Sequence, residues 1–468
     1  MTFTDWVASI NSAVNGVVWG PVMLVLLVGT GIYLTCFTGF FQVKWFGHMW
    51  KNTIGTVFSG KHKEGRNSAN VTPFQAMTTA VASTVGVGNV AGVATAIVSG
   101  GPGAVFWMWI SAFFGMMTKY SEVTLAVHYR EKDEKGIHYG GPMYYMEKGL
   151  KCKPLAMIFA IFGALACFGI GNMNQSNEIA AAVNNVFGLP KLVSGLVLAA
   201  VVSLVIIGGI KRIASVTEKV VPFMAVFYIV GGIVTLAINA PLLPDAFGQI
   251  FAGAFSFEAV GGGVMGYVIM RAMRFGFARG VFSNEAGLGS APMAHAAANT
   301  NNPVQQGLWG IFEVFIDTIV ICTITALVVI TSGLAGVLTD ASGGVVSGGA
   351  LTSAAFQAAL GPIGGVFISI AIIFFALSTI LGWSYYGEQC IGYLAKNSKT
   401  AKTIFKCIFV PFIVVGALGQ LALLWDISDT LNGMMAIPNL IALIGLSGVV
   451  FKLTKAYIKD PSEVELKD

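Results

Sequence analysis

The residues equipped for chemistry are polar groups set inside long apolar runs. Asn89 lies in Thr84-Val-Gly-Val-Gly-Asn-Val-Ala-Gly92, among Gly86, Gly88 and Gly92. Asn174, Gln175 and Glu178 share a helix face by three- and four-residue spacing. Phe282-Ser-Asn-Glu-Ala-Gly287 and Ser378-Thr-Ile-Leu-Gly-Trp383 complete the set. Amides of this kind hydrogen-bond a polar solute, and hydroxyls beside backbone carbonyls suit a hard, oxygen-liganded cation. Glu122, Glu178, Glu285, Glu313 and Asp317 also fall in apolar runs. There an acid costs about 2.5–3.5 kcal/mol at a helix centre, so each calls for an ion pair or a proton. Lys119 and Arg279 are the partners in reach of Glu313 and Asp317. Nothing resembles a catalytic set: the five histidines are scattered, and the six cysteines show neither CxxC nor metal-ligand spacing.

Such residues need a scaffold that crosses a membrane. Of 468 residues 55% are hydrophobic and 10% charged, against about 25% charged in soluble domains. Mean hydropathy is +0.77. Apolar runs of about 20 residues predict eleven helices, near 17–37, 72–99, 103–127, 154–187, 190–209, 216–239, 265–298, 305–331, 363–394, 402–424 and 430–451. Segments 40–58 and 244–258 read as short surface helices, and 351–360 as a cap on the loop after the eighth run. No Lys or Arg precedes Lys44, so the first run lacks the basic flank of a signal peptide and reads as a retained helix.

Basic residues set the orientation. Loops 38–71 and 128–153, the gaps around 211–219 and 396–406, and the tail hold 22 of the 27 Lys and Arg. This predicts an N-terminus outside and a cytoplasmic C-terminus in a multi-pass cell-membrane protein. It also explains the net charge of +5 without a nucleic-acid partner. Arg271, Arg274 and Arg279, inside the seventh run, do not fit this pattern.

Asn89-Val-Ala-Gly-Val-Ala-Thr-Ala96 is echoed by Asn284-Glu-Ala-Gly-Leu-Gly-Ser-Ala291. The copies lie in the second and seventh runs. An odd offset of five inverts the second copy in the membrane, and Gly-interrupted helices at matching positions mark secondary transporters. The predicted architecture is all-α. An N-terminal extra helix and amphipathic cytoplasmic segment span 1–71. A five-helix unit spans 72–239, its inverted counterpart 240–451, and a short, polar, mobile cytoplasmic tail 452–468. The glycines allow tight helix packing or deliberate breaks. The paired positions, with polar Asn and Ser, favour breaks near Gly86–Asn89 and Ser283–Gly287.

The chain resembles the alanine or glycine:cation symporter family. The resemblance rests on Thr84–Gly92 with Gly100-Gly-Pro-Gly-Ala-Val-Phe-Trp-Met-Trp109, Gly140-Gly-Pro-Met-Tyr-Tyr145, Phe282–Pro292, and Ser378-Thr-Ile-Leu-Gly-Trp-Ser-Tyr-Tyr-Gly387. It covers nearly the whole chain. It implies a leucine-transporter-like five-plus-five inverted repeat and import of alanine or glycine, with Na⁺ as the co-transported ion and no organic cofactor. Proton coupling and glutamine remain the alternatives. Membrane lipid is the other expected partner, with no obligatory protein partner.

A broken helix offers free N–H groups to a carboxylate and free carbonyls to an ammonium or cation. The expected substrate site takes Thr84, Gly86, Gly88 and Asn89 from one break, and Phe282, Ser283, Asn284 and Gly287 from the other. Asn174 or Gln175 supplies hydrogen bonds, and Trp383 with Phe282 forms walls, unless these aromatics are only core. By the resemblance, Na⁺ sits between Ser378, Thr379 and carbonyls at the first break, Val85 among them.

Overall fold

The computed structural model describes residues 3–60, 70–255, 262–339, 343–419 and 422–466. Lys61, Lys63, Arg66 and Lys467, which entered the charge reading, lie outside the described residues, as do positions 256–258 of one expected surface helix.

The molecule is almost wholly helical, and helix starts follow local sequence. α1 (Phe3–Val18) runs into α2 (Pro21–Phe37), with Pro21 in its first turn. The expected first helix began at 17; the apolar residues before it extend the helical path by more than three turns. Three short helices follow at Phe41–Lys44, Phe46–Asn52 and Ile54–Phe58. α3 (Pro73–Thr84) starts with a capping box: the Thr72 hydroxyl accepts from Gln75 N, and Gln75 Oε1 accepts from Thr72 N. This arrangement satisfies two otherwise orphaned donors.

A π-helical turn, Gly88–Gly92, leads to α4 (Val93–Gly100), then α5 (Gly103–His128). A small antiparallel hairpin pairs Glu131 with Tyr139 and Lys132 with His138. α6 (Lys153–Phe168) passes through a π turn at Gly169–Met173 into α7 (Asn174–Phe187). α8 (Lys191–Ile206), α9 (Gly209–Ile238) and α10 (Leu243–Phe255) follow.

α11 (Gly262–Asn284) stops abruptly, and a short helix at Pro292–Ala296 resumes beyond it. α12 (Pro303–Val314) continues as a π segment, Phe315–Cys322, into α13 (Thr323–Thr331). The expected cap is α14 (Gly348–Leu360); α15 (Pro362–Leu394), α16 (Lys399–Leu418) and α17 (Ala422–Gly445) complete the long helices. The C-terminal segment departs from the mobile tail expected of it. Within it α18 (Ser447–Lys459) buries Thr454 and Tyr457, and Leu466 N donates to Asn301 O at 2.7 Å.

Each of the eleven predicted runs contains helix among the described residues, the second and seventh with interruptions. Among the described residues, seven helices are long and apolar enough to cross a membrane, or eight if the pair Pro73–Thr84 and Gly88–Gly100, bent by 48°, is one span. The three runs outside that count are α5, which contains Lys119 and Glu122, α8, with 16 residues, and α11, which contains Arg271, Arg274 and Arg279.

Burial is inverted relative to a soluble protein. Val197, Leu204, Val226 and Val230 face outward at 55–62% exposure, while Asn89, Lys119, Glu122, Glu313 and Asp317 are fully buried. Apolar side chains meet the surroundings, and the polar groups converge on the interior where the two interrupted helices meet.

Candidate functional site

The first interruption follows Thr84. Val85 N still donates to Val81 O at 2.8 Å, but the next two amides leave the helix. Gly86 N donates to Asn89 Oδ1 at 3.0 Å, and Val87 N to Gln175 Oε1 at 3.4 Å. Asn89 thus folds back on its own loop, and Gln175 reaches across from α7. Thr379 of α15 donates its hydroxyl to Ala82 O at 3.1 Å, just before the break. A Cβ at Gly86 would lie 2.5 Å from Thr379 Oγ1, so only glycine lets α15 approach so closely.

The second interruption spans Glu285–Ala291. Glu285, with φ +55°, and Gly287, with φ +96°, take left-handed backbone conformations, which most L residues avoid. Fixed partners hold them there. Glu122 Oε1 on α5 accepts from Gly287 N at 3.0 Å, Gly289 N at 3.1 Å and Asn439 Nδ2 at 2.6 Å. Asn439 also donates to Gly287 O at 2.9 Å and accepts from the Tyr145 hydroxyl. The Gly287 amide, expected to serve a substrate, is therefore occupied by Glu122. Glu285 accepts from Trp383 Nε1 at 3.0 Å and from the Ser290 hydroxyl.

The two interruptions meet at one acid. Asp317, in the π segment Phe315–Cys322, accepts from Asn89 Nδ2 at 2.7 Å on one carboxylate oxygen. Its other oxygen accepts from Ser283 Oγ at 2.8 Å and Thr318 Oγ1 at 2.7 Å. Asn284 Nδ2 donates to Thr318 Oγ1 at 3.0 Å, and Cys322 Sγ lies 3.4 Å from Asn89 Nδ2 and 3.2 Å from Ser283 Oγ. π turns recur at functional sites because they displace side chains from the α register. Here one carries Asn89 and another Asp317.

Asp317 differs from the ion pair expected of it. Lys119 Nζ lies 3.3 Å from Glu313, which also meets His295 Nε2 at 3.2 Å, and Gln306 Nε2 lies 2.8 Å from His295 Nδ1. Arg279 lies 3.8 Å from Asp429 and 5.3 Å over the Phe282 ring. Among the described residues the hydrogen-bond partners of Asp317 are all neutral, so its charge has no basic side chain against it.

The other expected site residues divide. Gly88 packs against Phe282, whose ring would lie 3.1 Å from an added Cβ. Trp383 lies against Gly171, where an added Cβ would fall 2.3 Å from the Trp383 Cβ, so the π turn at Gly169–Met173 makes room for the indole. Asn174 is fully buried, and among the described residues neither amide atom has a hydrogen-bond partner. Ser378 turns away from the break: its hydroxyl donates to Phe375 O at 2.9 Å and lies 3.5 Å from Met224 Sδ. Adjacent helix positions point about 100° apart, so Ser378 and Thr379 do not share a direction. Sequence reasoning missed Glu122 and Asn439 as the residues that hold the second break. The signal was a Glu and an Asn in apolar runs, but their pairing spans 317 positions.

This arrangement can now be set beside known proteins. The family model described as the sodium:alanine symporter family matches residues 4–467. "Sodium/alanine symporter AgcS" of Methanococcus maripaludis is 51% identical over 459 residues, 97% of each chain. "Probable sodium/glutamine symporter GlnT" of Bacillus subtilis is 39% identical, covering 95% of this chain and 89% of its own. Among solved structures, MhsT in complex with L-phenylalanine superposes with a TM-score of 0.53 at 15% identity, covering 82% of this chain and 97% of the other. That likeness establishes a shared fold and nothing beyond it. The matching proteins are transporters, not enzymes, and the chain belongs to the sodium:alanine symporter family.

Proposed function

We propose that this chain imports a small neutral amino acid, alanine or glycine, together with Na⁺ by alternating access. The observation that carries the reading is the convergence of both helix interruptions on Asp317 through Asn89 and Ser283. In this reading all eleven helical runs cross the membrane, 72–239 and 240–451 are inverted units, and the C-terminus is cytoplasmic.

The substrate lies between the two breaks. Its carboxylate takes backbone N–H groups at Gly86–Gly88, where Asn89 and Gln175 now accept, and Asn174 supplies unengaged amide atoms. Trp383, fixed by Glu285 and seated on Gly171, and Phe282 on Gly88 are the walls that limit the substrate to a short side chain. The coupling ion takes carbonyls near Val85 with the Thr379 hydroxyl, while the Ser378 hydroxyl stays on Phe375 O. α14 sits over the outer half of the first broken helix, with Thr352 Oγ1 donating to Val90 O at 2.9 Å, and serves as the outer cap.

The driving force suffices. About 2.3 kcal/mol per charge at 100 mV and about 1.4 for a tenfold gradient allow roughly 500-fold accumulation with one Na⁺ per substrate. The test is alanine uptake into proteoliposomes with and without an inward Na⁺ gradient.

One observation favours a second reading. A buried carboxylate with only neutral partners can carry a proton as well as face a cation, so Asp317 supports proton coupling of the same cycle. Relatives named as a probable sodium/glutamine symporter and a putative sodium/proton-dependent alanine carrier keep glutamine and protons in the comparison.

A further inference from the structure

A groove of about 910 Å³ runs down the outside of the helix bundle between α2, α5 and α11. Its walls are apolar, with Leu24, Val28, Ile32, Ile110 and Phe114 among them, and Arg271 and Arg274 stand at one end. Both arginines are exposed. Arg274 has no ion pair among the described residues, and Arg271 lies 6.0 Å from the Phe275 ring.

Height along α11 places these charges. Arg274 and Arg271 precede the break at Asn284 by ten and thirteen residues, or about 15 and 20 Å at 1.5 Å per residue. With the break at mid-membrane, as the transport reading has it, the hydrocarbon ends about 15 Å away. The guanidinium groups then stand at the headgroup level of the leaflet opposite most of the Lys and Arg. From Gly20 to Ile32, both in the groove wall, α2 descends about 18 Å, close to the hydrocarbon depth of one leaflet. The groove is charged only at headgroup height and apolar throughout chain depth.

We infer that this groove binds one anionic phospholipid, its phosphate on Arg271 and Arg274 and an acyl chain along α2. Guanidinium groups recognise phosphate with paired hydrogen bonds, and a diacyl lipid matches the division of charge and apolar surface. The lower end of the groove meets a cleft lined by Leu27, Val28, Phe114 and Ala286, so the bound chain packs beside the second break. The inference rests on the membrane orientation proposed above, but its test needs no transport.

The test is native mass spectrometry of the purified chain extracted from vesicles of equal phosphatidylglycerol and phosphatidylcholine with identical acyl chains. At least tenfold preferential retention of phosphatidylglycerol is expected. The double variant R271Q/R274Q brings the two lipids to parity, and V25W, which fills the groove from exposed Val25, lowers retention of both. Parity in the wild-type chain overturns the inference. So does preference unchanged in both variants, or cysteine cross-linking from positions 25 and 270 that shows a second copy seated in the groove. Failure of Na⁺-driven uptake with lipid preference intact would instead count against the transport reading alone.

Discussion

The Asn89 amide donates to the Asp317 carboxylate at 2.7 Å, although the two residues stand 228 positions apart. Ser283 reaches the other oxygen of the same carboxylate at 2.8 Å. One acid is thereby held by both interrupted helices. A change of charge at Asp317 would be felt at both breaks at once, as coupling between ion and substrate requires.

Asp317→Asn keeps the size and much of the hydrogen bonding but removes the charge. If Asp317 draws the coupling ion, the Na⁺ concentration for half-maximal uptake rises at least tenfold, about 1.4 kcal/mol. Uptake measured against Na⁺ concentration in proteoliposomes checks this. An unchanged Na⁺ dependence makes Asp317 a strut between the breaks and nothing more.

Thr379→Ala removes the hydroxyl that bonds Ala82 O and Phe375 O. The expected result is a higher Na⁺ concentration for half-maximal uptake, with a stability loss of about 1 kcal/mol. Ser378→Ala, whose hydroxyl faces Met224, should perturb Na⁺ dependence less. Equal effects of the two variants would contradict the contribution assigned to Thr379.

Glu122→Ala should act on stability. It strips the acceptor from two backbone amides and the Asn439 side chain, and each buried donor left unsatisfied costs about 1–3 kcal/mol. Thermal unfolding of the purified chain in detergent should shift down by several degrees. Glu122→Gln, which keeps an acceptor oxygen, should shift it less. Equal melting of all three proteins would mean that the second break does not depend on this carboxylate.

Trp383→Ala opens the space beside Gly171 and frees Glu285. Competition by larger neutral amino acids against labelled alanine should strengthen relative to wild type. Trp383→Phe, which loses the indole N–H and part of the ring volume but keeps an aromatic wall, should relax the size limit less than Trp383→Ala while removing the Glu285 bond. An unaltered competition profile for Trp383→Ala would make the indole plain core.

Much of this was legible in the sequence because helix interruption has local causes. Glycines with Asn or Ser inside apolar runs, repeated at Asn89–Ala96 and Asn284–Ala291, mark both interruptions to within a few residues. What the sequence hid was partner choice. Spacing put Asp317 in reach of Lys119 or Arg279, but Lys119 turns to Glu313, and Arg279 to Asp429. Ser378 and Thr379 looked equivalent as neighbouring hydroxyls until helix geometry separated their directions. Glu122 and Asn439 come from helices far apart in the chain, so no local pattern could pair them across the second break. The C-terminal segment looked polar enough to float free, yet Thr454, Tyr457 and Val464 bury themselves against the bundle.

The central claim is Na⁺-driven amino-acid import, and one measurement reaches it directly. Purified protein in proteoliposomes, given labelled alanine or glycine and an inward Na⁺ gradient, should accumulate substrate above its external concentration and stop when Na⁺ is replaced by K⁺. Equal accumulation without Na⁺ under an inward proton gradient would contradict the account and shift the coupling to protons.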